Sequence, residues 1–284
     1  MPSVLPVQPA PPSAPPIWLR QAVAATNPDA AHLMWVPLRG GRVNQVWQVG
    51  DRVVKLYDPA ATSPLFPNDA AAEMAALRAF APAGFCPALL ASGPNWIAYR
   101  HIAGPTWTQG VKAVAAMLGH LHTQPLPQQP LFRRLPSGAS GILAQGRLIL
   151  AACRGTLPDP GMVDLPETPD LSVIHGDAVP GNIIMSAKGP VLIDWQCPAI
   201  GDPAEDLAAF LSPAMQVLYR GAVLTQDKGA AFLAAYPDPA TVARYRALAP
   251  LFHWRMAAHC LWKAERGDVD YAQALRLELA ALKT

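Results

Sequence analysis

The sequence predicts an α+β fold in which a small antiparallel sheet with one accompanying helix precedes a larger, mainly helical region. Short apolar segments separated by turn residues fill positions 33–57 and recur at 87–91 and 96–102, a pattern that is typical of strands. One amphipathic segment interrupts them at 69–81, whereas helical patterns dominate after residue 106. A chain of 284 residues is long enough for one large or two small domains.

The N-terminal elements can be assigned in order. Met1 to Pro16 contains seven prolines and few large apolar residues, which predicts a flexible tail, with a docking segment as the alternative. A helix is expected near residues 17–25. In the strand region, Gly50-Asp51 predicts a tight hairpin turn between two strands. Asn68 or Asp69 is a suitable N-cap for the helix that follows the sheet strands.

The larger region begins after Gly104-Pro105, which breaks the strand pattern. Residues 111–122 place apolar side chains on one helical face, and the Pro-rich segment 125–140 is expected to be a loop. Further helices are expected at 142–152, from the Gly201–Leu207 segment to about Leu211, and at 213–221, 225–236, 241–266 and 270–283. Pro250 is expected to kink or break the helix that contains it.

Three polar residues stand on short connections between apolar strands. Asp177 and Asn182 lie in the loop His175-Gly176-Asp177-Ala178-Val179-Pro180-Gly181-Asn182. Asp194 follows the second apolar segment after this loop, Val191-Leu192-Ile193. A carboxylate such as Asp177 can accept a proton from a hydroxyl group. Asn182 and Asp194 offer the hard oxygen ligands that Mg²⁺ prefers. Phosphoryl transfer needs both a group that orients the hydroxyl acceptor and metal ions that contact the phosphates.

The pattern H-G-D-x4-N, followed by an apolar run and D-W, resembles the family of aminoglycoside phosphotransferases and choline kinases, small-molecule relatives of the protein kinases. The spacing of Asp177 and Asn182 is that of the protein-kinase catalytic loop. Gly40-Gly41-x-x-Asn44 before a long strand is most similar to the choline and thiamine kinase branch. The resemblance implies a two-lobe, protein-kinase-like fold, with a nucleotide-binding N-lobe at residues 17–103 and a catalytic C-lobe at residues 104–284.

Residue usage singles out a pair for nucleotide binding. Lys55 is the only lysine among the first 111 residues, and Glu73 is the only glutamate among the first 166. In the kinase pattern, a strand lysine contacts the α- and β-phosphates and a helix glutamate holds that lysine. Glu73 could otherwise carry an ordinary solvated helix charge.

Two further segments are assigned to the nucleotide through the resemblance. Glycine lets backbone N–H groups approach phosphate closely, so the turn with Gly40, Gly41 and Asn44 is expected to cover the phosphates. The backbone from Arg100 to Ile102 precedes the Gly104-Pro105 break, where family members hydrogen-bond adenine. A plain hairpin and an ordinary edge strand are the respective alternatives.

Two details beside the polar residues bear on the site. Gln196 stands two positions after Asp194, where the family usually carries an acid. The segment Gly201-Asp202-Pro203-Ala204-Glu205-Asp206-Leu207 is similar to a G-D-P-x-x-D-L motif of the family. Within it, Asp202 is expected to cap a helix and Asp206 to brace the catalytic loop.

The resemblance implies transfer of the γ-phosphoryl group of ATP to a hydroxyl group of a small molecule, with Asp177 as the base and Mg²⁺ held by Asn182 and Asp194. Residues 205–284 contain eight acidic, nine basic and nine aromatic residues. This balance favours a choline-, thiamine- or amino-alcohol-like acceptor over a polycationic one. An aminoglycoside or sugar kinase is one alternative. A non-catalytic nucleotide- or metabolite-binding protein is another.

Composition narrows the partners further. The chain has 22 basic and 20 acidic residues and no long basic run, so a nucleic-acid partner is not expected. No apolar run reaches the length of a membrane span, and the first residues lack the pattern of a secretory signal. The four cysteines are dispersed without a C-x-x-C motif, which favours reduced thiols. We therefore expect a cytoplasmic protein.

Overall fold

The computed structural model describes residues 14–38, 43–127 and 132–282, which form two compact units. The first unit contains the described residues up to Pro105 together with Ile184–Cys197, and the second contains Thr106–Ile183 and the residues from Pro198 onward. The division drawn from the sequence counted residues 184–197 with the C-terminal region, whereas their contacts group them with the N-terminal sheet. The α+β class is confirmed, with an antiparallel N-terminal sheet and a helical C-terminal part.

The helices and strands are numbered in chain order. The helices are α1 (Ile17–Thr26), α2 (Ala70–Phe80), α3 (Val111–His122), α4 (Gly138–Ala151), α5 (Ala204–Leu211), α6 (Pro213–Arg220), α7 (Gln226–Ala235), α8 (Pro239–Ala264) and α9 (Tyr271–Ala281). The strands are β1 (Trp35–Pro37), β2 (Gln45–Val49), β3 (Arg52–Leu56), β4 (Leu89–Gly93), β5 (Trp96–Arg100), β6 (Arg133–Arg134), β7 (Ser172–Ile174), β8 (Ile183–Ser186), β9 (Gly189–Leu192) and β10 (Ala199–Gly201).

The first unit is built on a five-stranded antiparallel sheet in the order β1-β2-β3-β5-β4. The predicted hairpin between β2 and β3 is confirmed, and Gly50 makes the turn with φ +60°. Successive side chains of a strand point to opposite faces. Val54 therefore joins Trp47 and Val49 in a core that packs against α1, while its neighbour Lys55 points to the opposite face.

Two elements support that opposite face. Helix α2 begins after Asp69, whose carboxylate accepts hydrogen bonds from the backbone N–H groups of Ala71 and Ala72. The β8–β9 hairpin leads into the segment containing Asp194, and its Leu192 N–H donates to the carbonyl of Phe85 at 2.9 Å. Trp195 is fully buried and stacks on Phe80 of α2, with ring centroids 5.4 Å apart. These contacts fix the segment after β9 against the helix.

The second unit is mainly helical, with α8 packed against both α4 and α9. A three-stranded sheet in the order β6-β10-β7 accompanies the helices, and β10 runs parallel to β6 and antiparallel to β7. Among the described residues, no helix is long and apolar enough to cross a membrane.

Several element assignments from the sequence need correction. The segment expected to be a loop at 125–140 contains β6 and the first turn of α4. Strand β10 was not anticipated, because three residues carry too short a pattern to be recognised. Pro250 does not break α8, which continues to Ala264, whereas a kink at this residue stays a prediction. Packing of α8 against its neighbours therefore maintains the helix despite the hydrogen bond that proline removes.

Candidate active site

The loop between β7 and β8 brings Asp177 and Asn182 together. Both side chains are buried, and Asn182 Nδ2 donates to the Asp177 carboxylate Oδ2 at 3.0 Å and to the Asp177 backbone carbonyl at 2.9 Å. A short 3₁₀ turn at Pro180–Asn182 makes this possible, because it returns the asparagine toward the start of the loop. Asn182 thus holds both the carboxylate and the backbone of Asp177 in one position.

Asp206 of α5 braces the same loop, as expected from the sequence. Its fully buried carboxylate accepts hydrogen bonds from the backbone N–H groups of His175 and Gly176, each at 2.8 Å, and lies 3.0 Å from His122 Nε2. Burial alone would raise the pKa of Asp206, but the hydrogen bonds from His122 and the backbone hold it below its usual range. The ionised carboxylate therefore fixes the residues that precede Asp177.

The brace extends into the surrounding helices. His122, the last residue of α3, places Nδ1 at 2.7 Å from the hydroxyl of Tyr236, which follows α7. A side chain at Gly181 would overlap the ring of Tyr219 on α6, so glycine is required there for the close approach. The position of the loop thus depends on contacts from α3 and α6, which the sequence alone could not assign to it.

In the first unit, Lys55 lies between two carboxylates. Its Nζ atom is 2.6 Å from Glu73 Oε2 and makes a second ion pair with Asp194 Oδ1, and both Lys55 and Glu73 are almost completely buried. Burial alone would lower the pKa of Lys55, but the charges of Asp194 and Glu73 raise it above its ordinary value. The lysine is therefore a permanent positive charge, and the pairing of Lys55 with Glu73 matches the geometry expected of the kinase pair.

Tyr57 is a member of this cluster that the sequence analysis missed. Its hydroxyl donates to Glu73 Oε2 at 2.5 Å, on the same oxygen that accepts from Lys55. Burial raises the pKa of Glu73, an effect that the Lys55 ammonium and the Tyr57 hydroxyl oppose. The spacing in the sequence could have indicated this contact. Tyr57 follows Lys55 by two positions, and residues two apart along a strand point to the same face.

Asp194 adopts a backbone conformation that is unusual for a non-glycine residue, with φ +63°. Its side chain is 28% exposed, whereas the neighbouring Trp195 is completely buried. The turn therefore leaves the carboxylate partly exposed, while the buried indole of Trp195 holds the segment in place.

The aromatic residues do not form an open pocket. Trp254 and Tyr271 of the second unit are buried, as Trp195 is in the first unit. These three rings therefore serve as core residues.

Asn44 joins the cluster indirectly. Its amide donates to Gln196 Oε1 at 2.9 Å and to Asn68 Oδ1 at 2.8 Å. Its own oxygen accepts from the Asp58 N–H at 3.1 Å and from Asn68 Nδ2 at 2.9 Å. Every hydrogen-bonding position of the Asn44 amide is therefore engaged within the first unit. Gly40 and Gly41, which the sequence analysis assigned to the same turn, lie outside the described residues.

The segment expected to bind adenine follows an interior strand. Strand β5 lies between β3 and β4, so the edge-strand alternative is wrong. The Arg100 N–H donates to the carbonyl of Ala88 at 2.8 Å, and the Arg100 side chain pairs with Asp51. Ile102, two residues beyond the strand, is half-buried.

The residues proposed as metal ligands have suitable donor chemistry. Because both hydrogen bonds of the Asn182 amide that face Asp177 come from Nδ2, its Oδ1 atom is left as an oxygen donor. The Asp194 carboxylate is partly exposed and is the second oxygen donor. Hard oxygen donors of this kind fit Mg²⁺.

Comparison with known proteins agrees with this architecture. A family model described as the phosphotransferase enzyme family matches residues 35–251. A choline/ethanolamine kinase family protein from Mesorhizobium loti is 19% identical with a TM-score of 0.60, covering 93% of this chain and 97% of that chain. Choline kinase LicA from Streptococcus pneumoniae is 16% identical with a TM-score of 0.63, covering 93% and 98%.

The similarity extends to enzymes with other acceptors. The ADP-bound aminoglycoside phosphotransferase APH(2″)-Ib is 13% identical with a TM-score of 0.60, covering 94% of this chain and 99% of that chain. Comparison with curated protein sequences gives no match. At these identities the structural similarity establishes the protein-kinase-like fold.

Proposed function

Because the chain belongs to the phosphotransferase enzyme family, we propose that it transfers the γ-phosphoryl group of ATP to a hydroxyl group of a small molecule. The observation that carries the proposal is the hydrogen-bonded pair of Asp177 and Asn182. In the same chain, Lys55 is held between two carboxylates. Phosphoryl transfer requires a carboxylate for the acceptor, oxygen ligands for a metal and a fixed positive charge for the phosphates.

Asp177 is the proposed catalytic residue for the acceptor. Its carboxylate orients the hydroxyl group and takes the hydroxyl proton while the new bond to phosphorus forms. Asn182 restricts the Asp177 carboxylate through the hydrogen bond to Oδ2. The carboxylate is therefore already oriented when the acceptor binds. The transition state of phosphoryl transfer is loose, and positioning and charge neutralisation therefore supply most of the acceleration.

Lys55 is proposed to contact the α- and β-phosphates. Glu73 holds the ammonium group in place, and Tyr57 restrains Glu73 by donating to the same oxygen. The raised pKa of Lys55 keeps it charged when it meets the phosphates. The remaining residues proposed for the nucleotide are Gly40, Gly41 and Asn44 of the turn over the phosphates and the backbone of Arg100 and Ile102 for adenine.

Asn182 and Asp194 are the residues that would hold Mg²⁺. Each contributes an oxygen donor, because Asn182 binds Asp177 through its nitrogen and the Asp194 side chain is partly exposed. When bound there, Mg²⁺ would neutralise part of the negative charge of the phosphates. Asn182 would then serve twice, with its nitrogen restraining Asp177 and its oxygen facing the metal.

The proposed acceptor is a choline-, thiamine- or amino-alcohol-like compound. Buried carboxylates of the C-terminal helices are already committed within the second unit, because Asp202 pairs with Arg244 and Glu205 with Arg255. Paired carboxylates do not supply the excess negative charge that a polycationic acceptor favours. The similarity to a choline kinase and to a choline/ethanolamine kinase family protein supports the same class.

An aminoglycoside or amino sugar is the second candidate acceptor. The observation in its favour is that an aminoglycoside phosphotransferase matches this fold with a TM-score of 0.60, the same value as the choline/ethanolamine kinase family protein.

The test is ADP release from Mg·ATP with choline, ethanolamine, thiamine, homoserine, amino sugars and one aminoglycoside. We expect release with one acceptor class, reduced about 100- to 10,000-fold in Asp177→Asn because the base is lost. Asp170→Asn, which makes the same change at an exposed carboxylate of the second unit, should keep full activity. Full turnover by Asp177→Asn would refute the base assignment. Nucleotide binding without release for any acceptor would instead favour a non-catalytic nucleotide-binding protein.

A further inference from the structure

Gln196 places an uncharged amide next to the ion pairs of Lys55. It is 4% exposed, and its Oε1 atom lies 3.4 Å from Lys55 Nζ and 2.9 Å from Asn44 Nδ2. Gln196 stands two positions after Asp194, where the family usually carries an acid. Its hydrogen bonds show which end of the amide faces the lysine.

Two backbone groups fix the orientation of the neighbouring amides. The Asp58 N–H donates to Asn44 Oδ1 at 3.1 Å, and the Asp58 carbonyl accepts from Asn68 Nδ2 at 2.9 Å. A backbone N–H can only donate and a carbonyl can only accept. Asn44 and Asn68 can therefore be assigned without ambiguity, and they form a reciprocal pair through their remaining atoms.

The orientation of the Asn44 amide fixes the orientation of the Gln196 amide. Since Asn44 Oδ1 faces Asp58, Asn44 Nδ2 must face Gln196, and the atom that receives it must be an acceptor. Lys55 Nζ, which has donors only, reaches the same Gln196 atom. The Oε1 atom is thus committed to two donors. Among the described residues, no acceptor engages Gln196 Nε2.

We propose that Gln196 Nε2 donates a hydrogen bond to a phosphate oxygen of the bound nucleotide, beside the Lys55 ammonium. This inference rests on the proposed function, because it supplies a nucleotide-binding residue for the same site. Lys55, Glu73 and Asp194 together carry one positive and two negative charges when ionised. A carboxylate at position 196 would add a third negative charge against the phosphates, whereas the amide adds a donor and no charge.

A direct hydrogen bond from Gln196 to phosphate would make part of the nucleotide affinity independent of divalent cations. A donor that contacts phosphate directly works without a cation, whereas a carboxylate approaches phosphate only through one. The wild-type chain should therefore retain measurable nucleotide binding when divalent cations are removed. That remaining affinity should depend on Gln196.

The experiment is isothermal titration calorimetry of ADP, in EDTA and in MgCl₂, with the full chain and three variants. Gln196→Met removes the amide without adding charge. Gln196→Glu keeps an oxygen for Asn44 and Lys55 but replaces the donor with a carboxylate. Gln273→Glu makes the same charge change at an exposed position of α9 and serves as the matched control. Thermal unfolding of each variant confirms that it is folded.

In EDTA, we expect both Gln196 variants to bind ADP about 10- to 100-fold more weakly than the wild type, which corresponds to one lost hydrogen bond to a charged group. In MgCl₂, Gln196→Glu should recover most of its affinity because the carboxylate then has a cation to bind, while Gln196→Met should not. Gln273→Glu should match the wild type in both buffers.

The outcomes separate this inference from the function on which it rests. If the wild type binds ADP and Gln196→Met binds it equally well in EDTA, the donor assignment is overturned and the nucleotide site stands. A loss confined to Gln196→Glu overturns it as well, since charge repulsion alone would explain that result. If the wild type binds ADP in neither buffer, the proposed function itself fails.

Discussion

Replacing Asp206 with asparagine tests whether α5 sets the position of the loop between β7 and β8, which contains Asp177. Asparagine has the shape of aspartate but carries only one acceptor oxygen and no charge. In the structure, one carboxylate oxygen accepts from Gly176 N–H and the other accepts from His175 N–H and faces His122. The substituted amide can keep the first contact, but its NH₂ group would face the N–H of His175.

The cost follows from these contacts. The bond to Gly176 loses its charge assistance, worth about 1 kcal/mol, and the buried His175 N–H loses its acceptor, worth about 2 kcal/mol. His122 can adapt by presenting a ring nitrogen without a proton to the new amide. We therefore expect a loss of about 3 kcal/mol, which is a large fraction of the stability of a typical domain.

Hydrogen-exchange mass spectrometry on peptides covering residues 173–182 is the direct assay. We expect the amides of His175 and Gly176 to exchange about 100-fold faster in Asp206→Asn, and the melting temperature to fall by roughly 6–12 °C. Asp227→Asn, an exposed carboxylate in the first turn of α7, should change neither quantity appreciably. Unchanged protection of the loop amides in Asp206→Asn would refute the idea that this carboxylate positions the loop.

Two further predictions concern the buried charges. Lys55→Ala should weaken ADP binding at least about tenfold, because it removes the charge that we propose contacts the phosphates. Lys188→Ala, which removes an exposed lysine, should leave the affinity unchanged. Equal affinities of Lys55→Ala and the wild type by calorimetry would remove Lys55 from the site. Burial, with Lys263 nearby, lowers the pKa of His259 to about 3. Because this folded-state pKa lies below the unfolded value of about 6.5, the unfolded chain binds the proton first, and stability should fall by about 2 kcal/mol between pH 7 and pH 5. Urea unfolding at both pH values checks this, and His259→Gln should show a smaller drop. An identical drop in the variant would contradict the assignment to His259.

The sequence was informative where chemistry depends on residues close together in the chain. Asp177 and Asn182 share one loop, and their hydrogen bond follows from a spacing that the sequence displays. Lys55 and Glu73 are separated by 18 positions, yet their rarity in this part of the chain and the strand and helix around them were sufficient to pair them. The α+β class followed from periodicity, which reports directly on which faces are buried.

Contacts between distant segments could not be obtained in this way. Gln196 and Asn44 are 152 positions apart, and nothing local to either residue specifies that their amides meet. The orientation of the Gln196 amide depends on Asp58 and Asn68, two further residues without a recognisable motif. Strand β10 likewise exists because β6 and β7 supply its hydrogen bonds, since three residues have no strand pattern of their own.

The sequence by itself determined the α+β class, because hydrophobic periodicity reports which faces of an element are buried. It also indicated the family and the residue types available for phosphoryl transfer, because the motif that carries the resemblance consists of residues close together in the chain. Only the tertiary structure decided which groups hold those residues in place. Tyr57 restrains Glu73, His122 contacts the Asp206 carboxylate, and Gln196 turns its oxygen toward Lys55. Such contacts arise when the chain packs and each buried polar group must find a partner, and the partner is set by distance in space rather than by distance along the chain.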